Sequence, residues 1–333
     1  MMSWLKALIL APIRVFDGEL YDVLIVEMGV DAPYEPKNMG YLLKIVQPDI
    51  GIVLNVSAAH TEQFKGDVSA IAKEKGQLVT TMDKTKTAIV NGDDRYLQQI
   101  VPNIQAEILT FGRGKGATLR IVDYQVKNFS SAFTYEWQGK KFHLNFSNQL
   151  FFEEYGYVFA AILLGGWKIG IPIENSIRML EEEYRLPPGR LSVLRGEKQA
   201  TIIDSSYNAS PAATVAVLNL IKNISVSGKK ILVLGDMREL GTLGEEKHKE
   251  IGIFAAQSGE HIVLVGPLMK KYALPAIFNT GFSKDHVYAF NTAKDVGQFV
   301  IQKIMKKNDL ILVKGSQNTI FLETVVYDLM KEK

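Results

Sequence analysis

Three side chains pose the first chemical question. Glu27 closes the apolar run of LIVEMG, His60 lies in the polar loop after QPDIGIVLNVSAA, and Lys75 lies on the helical stretch that follows. Both runs read as strands, and ligands bind at the carboxyl ends of strands in open α/β sheets. A carboxylate, an imidazole and an amine at such ends form an address for a divalent metal and a phosphate-rich nucleotide. Mg²⁺ favours oxygen ligands, so Glu27 is its natural partner, with His60 binding directly or through water. Lys75 opens the apolar-facing half of its helix, and Gly76 beside it permits close approach. Taken singly, each residue also reads as an ordinary solvated side chain; their proximity at one sheet edge gives them weight.

A second constellation lies further on. Ile202–Pro211, IIDSSYNASP, reads as a strand, a polar turn and a helix start, with Ser210 as N-cap and Pro211 at the first helical position. Asp204 and Asn208 are more polar groups than a cap requires. Leu234–Gly241, LGDMRELG, is a similar strand-end loop, and Gly189–Arg190 places a guanidinium where a phosphate could bridge two domains. Gly112–Gly116, GRGKG, imitates a phosphate loop. It fails the GxxxxGK[ST] pattern and precedes a strand rather than a helix, so it reads as a turn.

The elements that must position these residues alternate. Runs at Asp22–Glu27, Ile50–Asn55, Thr87–Asn91 and Ile108–Phe111 predict buried parallel strands, with helices over Pro36–Val46 and Asp67–Thr81 between them. Thr118–Val126, Ala132–Trp137 and Lys141–Phe146 predict antiparallel strands, the last two joined at Gln138–Gly139, and helices over Phe151–Lys168 and Ile173–Tyr184 follow. Leu186–Arg190, with two prolines and a glycine, is the predicted linker. Beyond it, strands at Ala200–Asp204, Lys230–Leu234, His261–Val265, Val287–Phe290 and Asp309–Val313 are separated or followed by helical patterns at Ser210–Lys222, Glu245–Gln257, Lys294–Met305 and Thr319–Lys331. The expected fold is α/β: a central, doubly wound, mostly parallel sheet with a small antiparallel addition over residues 1–186, and a C-terminal Rossmann-like domain over 187–333.

Composition excludes more than it assigns. The chain has 333 residues, 47% hydrophobic and 22% charged, which suits two packed domains. A net charge of +2 gives no global case for nucleic acid or a membrane surface, and Lys303, Lys306 and Lys307 read as a solvated helix face. The absence of cysteine excludes disulfides and thiolate metal sites and is compatible with a cytoplasmic protein. MMSWLKALILAPIRVF has too short an apolar run and no Ala-x-Ala site to read as a signal peptide, and no segment is long and apolar enough to span a bilayer.

LIVEMG, QPDIGIVLNVSAAHTEQF, IAKEKGQL and AIVNGDD together resemble the central ATPase domain of the Mur ligase family, and GRL, DSSYNASP, VLGDMRELG and LVKGS resemble its C-terminal domain. The resemblance runs from about Leu24 to Val326. SYNASP and GDMRELG point to the D-alanyl-D-alanine-adding, MurF-type branch. What it implies is an ATP-dependent amide ligase of peptidoglycan precursor synthesis, acting in the cytoplasm on a UDP-linked muramoyl peptide and D-alanyl-D-alanine through an acyl phosphate.

By the same resemblance Glu27 and His60 hold Mg²⁺, and Lys75, carbamylated, helps bind a second. Arg190 meets the ATP phosphates, Asp204 and Asn208 hold the nucleotide, and His248, Lys314 and Ser316 lie on the dipeptide side. Lys75, His60 and Arg190 carry the catalytic roles. Two departures stand out. The family's P-loop and N-terminal domain are not in these residues; the expectation is that they are missing, encoded upstream or supplied by a separate chain. The family's Gly-x-His-Asn segment is replaced by Phe152–Tyr157, FEEYGY. The competing expectations are a non-catalytic binding or scaffold remnant of such a ligase, and a Mur-like ligase with another amino substrate.

Overall fold

The computed structural model describes residues 22–56, 63–65, 67–127, 129–238, 240–316 and 320–330. Two six-stranded sheets organise them. In the first, β1 (Ile50–Val53), β2 (Thr87–Asn91) and β3 (Glu107–Gly112) run parallel, β4 (Leu119–Lys127) continues parallel, and β5 (Ser130–Trp137) and β6 (Lys140–Phe146) extend it antiparallel, in sequential order.

Residue type explains the local choices. β2 is buried along its whole length because helices cover both its faces. Ala88 and Val90 face the cluster of α2 (Val68–Thr80), while Ile89 faces that of α4 (Tyr155–Lys168). β5 has the period-two pattern of a sheet with one covered face: Ser131, Phe133, Tyr135 and Trp137 are buried, and the residues between them are half-buried. Capping fixes the helix starts. Asn38 accepts from the Tyr41 N–H at 3.1 Å at the head of α1 (Met39–Ile45), and Asp67 accepts from the Ser69 N–H at 2.8 Å at the head of α2.

The second sheet has the order β11 (Val287–Phe290), β10 (His261–Val265), β9 (Lys230–Gly235), β12 (Leu310–Lys314), β8 (Thr201–Ser205), β7 (Ser192–Arg195). All neighbours are parallel except β7 on β8. The last parallel strand in the chain is thus inserted between β8 and β9, which brings the carboxyl ends of β8 and β12 side by side. α6 (Pro211–Asn223) and α7 (Gly244–Ala256) pack on one face, and α9 (Val296–Phe299) and α10 (Glu323–Leu329) on the other.

The expected alternation is present, with five differences. Asp22–Glu27 is not a strand: Val23, Leu24, Ile25 and Val26 are 47%, 74%, 90% and 45% exposed, because the run has a strand's composition but no ladder partner among the described residues. The helix expected from Lys294 starts only at Val296, after Asp295 in a left-handed conformation, and passes into a π turn over Val300–Ile304. α3 (Arg95–Ile100) and β7 were not expected. Nor was the helical stretch made of a π turn, Met269–Ala273, and α8 (Leu274–Asn279).

Candidate functional site

At the carboxyl end of the second sheet, Asp204 ends β8 as a buried carboxylate. Its Oδ1 accepts from the Ser206 N–H at 3.0 Å and the Ser206 hydroxyl at 2.7 Å, and its Oδ2 accepts from the Gly189 N–H at 3.1 Å. The Tyr207 N–H returns to the Gly189 carbonyl at 3.2 Å. Gly189 has φ +77°, and a Cβ there would lie 2.9 Å from Cβ of Tyr207, so only glycine fits the turn. The outcome is the placement of Arg190. Its guanidinium is exposed and stacks over the Tyr207 ring at 4.3 Å. Asp204 therefore ties down the Gly189 turn that carries Arg190. Asn208 is exposed, with Oδ1 accepting from the Ala209 N–H at 2.8 Å and its amide nitrogen free to donate.

One strand over, Lys314 ends β12, pairing in register with Ser205. Its side chain is buried, and the ammonium donates to the Asn208 carbonyl. Burial pushes its pKa down to about 8. Two residues on, the buried Ser316 hydroxyl has no partner among the described residues. A buried amine without a carboxylate beside a buried hydroxyl without a partner suits an incoming polar or anionic group. His248, expected on the dipeptide side, is held by backbone groups of its own chain. It is fully buried on α7, Nε2 accepts from the Met237 N–H at 3.1 Å, and Nδ1–H donates to the Gly244 carbonyl at 2.6 Å. Both ring nitrogens are committed to pinning the 235–244 loop.

The first sheet's carboxyl end is less assembled. Glu27 lies exposed in the open stretch before Met28, and Lys75 is half-buried on α2 with no partner among the described residues. Lys73 is exposed, and Glu74 accepts from the Met39 N–H at 2.8 Å, tying α1 to α2. His60 lies outside the described residues, and no group of three His, Asp or Glu side chains converges among those that are described. The chain's own groups here are the GDD segment. Asp94 Oδ1 caps α3 at Tyr96 and Leu97, while Oδ2 accepts from the Val56 N–H at 2.8 Å, fixing where β1's continuation leaves the sheet. A cleft of about 340 Å³ opens there, lined by Val56, Val68, Asp94, Arg95 and Tyr96.

The glycine-rich turn at 112–116 is satisfied from within. Asp93 accepts from the Arg113 N–H at 2.6 Å, the Gly114 N–H at 3.3 Å and the Tyr157 hydroxyl at 2.9 Å. Arg113 pairs with Glu153, so the FEEYGY segment is bound to this turn.

Family comparison decides what these ends belong to. The model described as Mur ligase middle domain matches residues 12–152, and that described as Mur ligase, glutamate ligase domain matches residues 189–317. The chain belongs to the Mur ligase family. This Mur ligase chain is 28% identical over 317 residues to the UDP-N-acetylmuramoyl-tripeptide–D-alanyl-D-alanine ligase of Bacillus subtilis, covering 93% of the chain and 65% of that protein. The same-named ligase of Treponema pallidum is 28% identical over 94% of the chain and 64% of its own length. Among solved structures, MurF from Acinetobacter baumannii superposes with TM-score 0.74 at 25% identity, covering 88% of this chain and 62% of that one. MurF ligase from Thermotoga maritima, solved in complex with ADP, gives 0.72 at 23%, covering 94% and 68%. The chain thus spans about 65% of the length of the curated relatives it matches.

Residue type singles out Arg190, Asp204 and Lys314 in the sequence but does not show what holds them. In sequence, Ser206 and Tyr207 belong to a capping segment, and Asp93 and Asp94 to a family-like one. Adjacent carboxylates directly after a buried strand, each with an amide within reach, were the available signal.

Proposed function

We propose that this chain carries the central and C-terminal parts of an ATP-dependent amide ligase of peptidoglycan precursor synthesis, working in the cytoplasm and adding D-alanyl-D-alanine to a UDP-linked muramoyl peptide. The carrying observation is the Gly189–Arg190 turn, held by Asp204 beside Lys314 and Ser316 at adjacent strand ends. Its relatives' names and the match of both halves support the reading. In the chemistry this implies, a substrate carboxylate oxygen takes the γ-phosphoryl group and ADP leaves. The dipeptide amine attacks the acyl carbon, the bond to the phosphate oxygen breaks, and inorganic phosphate departs.

On this reading Arg190 meets the nucleotide phosphates and Asn208 offers an amide to it. Lys314 and Ser316 face the amine substrate, and Asp204 positions Arg190. Mg²⁺, when bound, neutralises crowded phosphate oxygens. Glu27, His60 and Lys75 are assigned to it by resemblance, and the described residues do not bring them together. The division near residue 187 is likewise proposed, supported by the two sheets lying on either side of it. The comparisons lend no support to a separate chain carrying the P-loop.

Calorimetry with Mg-ATP tests the proposal. Micromolar binding, weakened at least about tenfold in Arg190→Ala, is expected; a Kd unchanged in that variant would overturn the assignment of Arg190. The second reading, a binding protein without catalysis, is favoured by Asp93 taking the Arg113 and Gly114 amides of the glycine-rich 112–116 turn, so that those amides are not offered to a phosphate. Phosphate release with both substrates present separates the two.

A further inference from the structure

Arg190 carries its charge without a counter-ion among the described residues. Its guanidinium has one partner there, the Tyr207 ring, 4.3 Å from Cζ to the ring centroid. Asp204, tied to the same turn, has both oxygens committed to groups of Gly189 and Ser206. Two phenols stand nearby. Tyr155, at the head of α4, and Tyr184, after the helix Ile173–Glu183, lie within the field of the Arg190 charge, which offsets part of the rise that burial gives their pKa. Tyr207 is held through its backbone: its N–H donates to the Gly189 carbonyl at 3.2 Å, and its Cβ lies against Gly189. It is 43% exposed, and its hydroxyl has no partner among the described residues. The ring face is therefore the part of this side chain that the turn uses.

We infer that Tyr207 is a positioning residue for the nucleotide: its ring face holds the Arg190 guanidinium where a carboxylate would otherwise do so, and leaves the N–H fork open to phosphate. This rests on the ligase reading, which assigns Arg190 to the nucleotide phosphates. A carboxylate would pair with the guanidinium bidentately, cancel its charge and occupy donors that a phosphate needs. An aromatic ring attracts the cation through its quadrupole, and stacking uses the face of the guanidinium while its in-plane N–H groups stay free. The stack also restricts a long, exposed side chain before the ligand arrives, so less ordering remains to be done on binding. Gly189 completes the arrangement, since its φ of +77° and its lack of a Cβ let the Tyr207 backbone approach the residue next to Arg190.

Calorimetry with Mg-ADP on the full chain tests the role of the ring. Tyr207→Phe keeps the face and should bind within about twofold of the unmodified chain. Tyr207→Leu keeps apolar bulk without a face and should bind about three- to tenfold more weakly, with the melting temperature of Tyr207→Phe. In the Arg190→Ala background, Tyr207→Leu should have no further effect, because the ring acts through the guanidinium alone. An unchanged Kd in Tyr207→Leu would overturn the inference. Equal losses in Tyr207→Phe and Tyr207→Leu, or a loss that persists without Arg190, would do the same, as would a weakening matched by a lower melting temperature in Tyr207→Leu. Loss of binding in Arg190→Ala with none in Tyr207→Leu leaves the ligase reading standing and removes the inference alone. Arg190→Ala binding Mg-ADP as tightly as the unmodified chain removes the assignment of Arg190 on which both depend.

Discussion

Single residues in this chain act through the backbone groups they hold. His248 bridges the Met237 amide and the Gly244 carbonyl from a fully buried position. His248→Ala should cost about 2–4 kcal/mol in urea unfolding, since two buried backbone groups lose their partner; an unchanged midpoint would return this histidine to the substrate side. Gly189→Ala, at φ +77° against Tyr207, should destabilise by about 1–3 kcal/mol and weaken nucleotide binding together, because Arg190 moves with the turn. The histidine at the opposite end of the second sheet sets a pH dependence. His261 Nε2 lies 3.4 Å from the Lys229 amine, its ring meets that of His286 at 4.5 Å between centroids with the planes tilted by 52°, its Nδ1 is buried without a partner among the described residues, and Asp309 and Glu260 are the neighbouring carboxylates. Burial, then His286 and Lys229, hold its pKa below the ordinary 6.5. The unfolded chain therefore takes up a proton before the folded one does, so stability is full above pH 6.5 and falls as pH drops below it. The melting temperature should fall from pH 7 towards pH 5, and His261→Gln should flatten that fall; parallel slopes would remove His261 as its cause.

At the scale of elements, the sequence was legible wherever one local signal decided. β2, β10 and β11 were read to the residue because their runs are apolar and flanked by turns, and α2 because Asp67 and Thr81 bracket it. It was less legible where long-range pairing decides. Nothing in Ser192–Arg195 announces an antiparallel edge on β8, and the short α3 depends on Asp94 tying its start to Val56. The same limit applies to the site: Asp204 and Arg190 stood out by type, but their contact through Gly189 is a tertiary fact. Asp94 is the element whose loss is easiest to read. Asp94→Ala removes the cap on α3 and the anchor of Val56 at once. It should cost about 1–3 kcal/mol and speed hydrogen exchange at Val56, whereas Asp94→Asn, which keeps an acceptor, should recover part of both. Loss of stability without faster exchange at Val56 would show that the cap alone matters.

For the whole molecule, the issue is whether the two sheets form one folding unit. Leu150, just after β6, is fully buried in the cluster built by β8, β9, β10, α6 and α7, and Val126, Phe129, Phe152 and Leu186 pack against that cluster. The first half thus lends apolar side chains to the second half's core. Domains joined only by a linker melt separately, while a shared core couples them. All three tryptophans, Trp4, Trp137 and Trp167, precede the linker, so their fluorescence reports the first half alone, while far-ultraviolet circular dichroism reports both. The two denaturation curves should coincide in the unmodified chain. Leu150→Ala should cost about 2–5 kcal/mol, the range for emptying a buried leucine site, and should pull the curves apart as the seam loosens. Curves already separated before the substitution would mean that the seam is a contact between independent bodies. Arg190, which sits at that seam, would then be placed by the second sheet without help from the first.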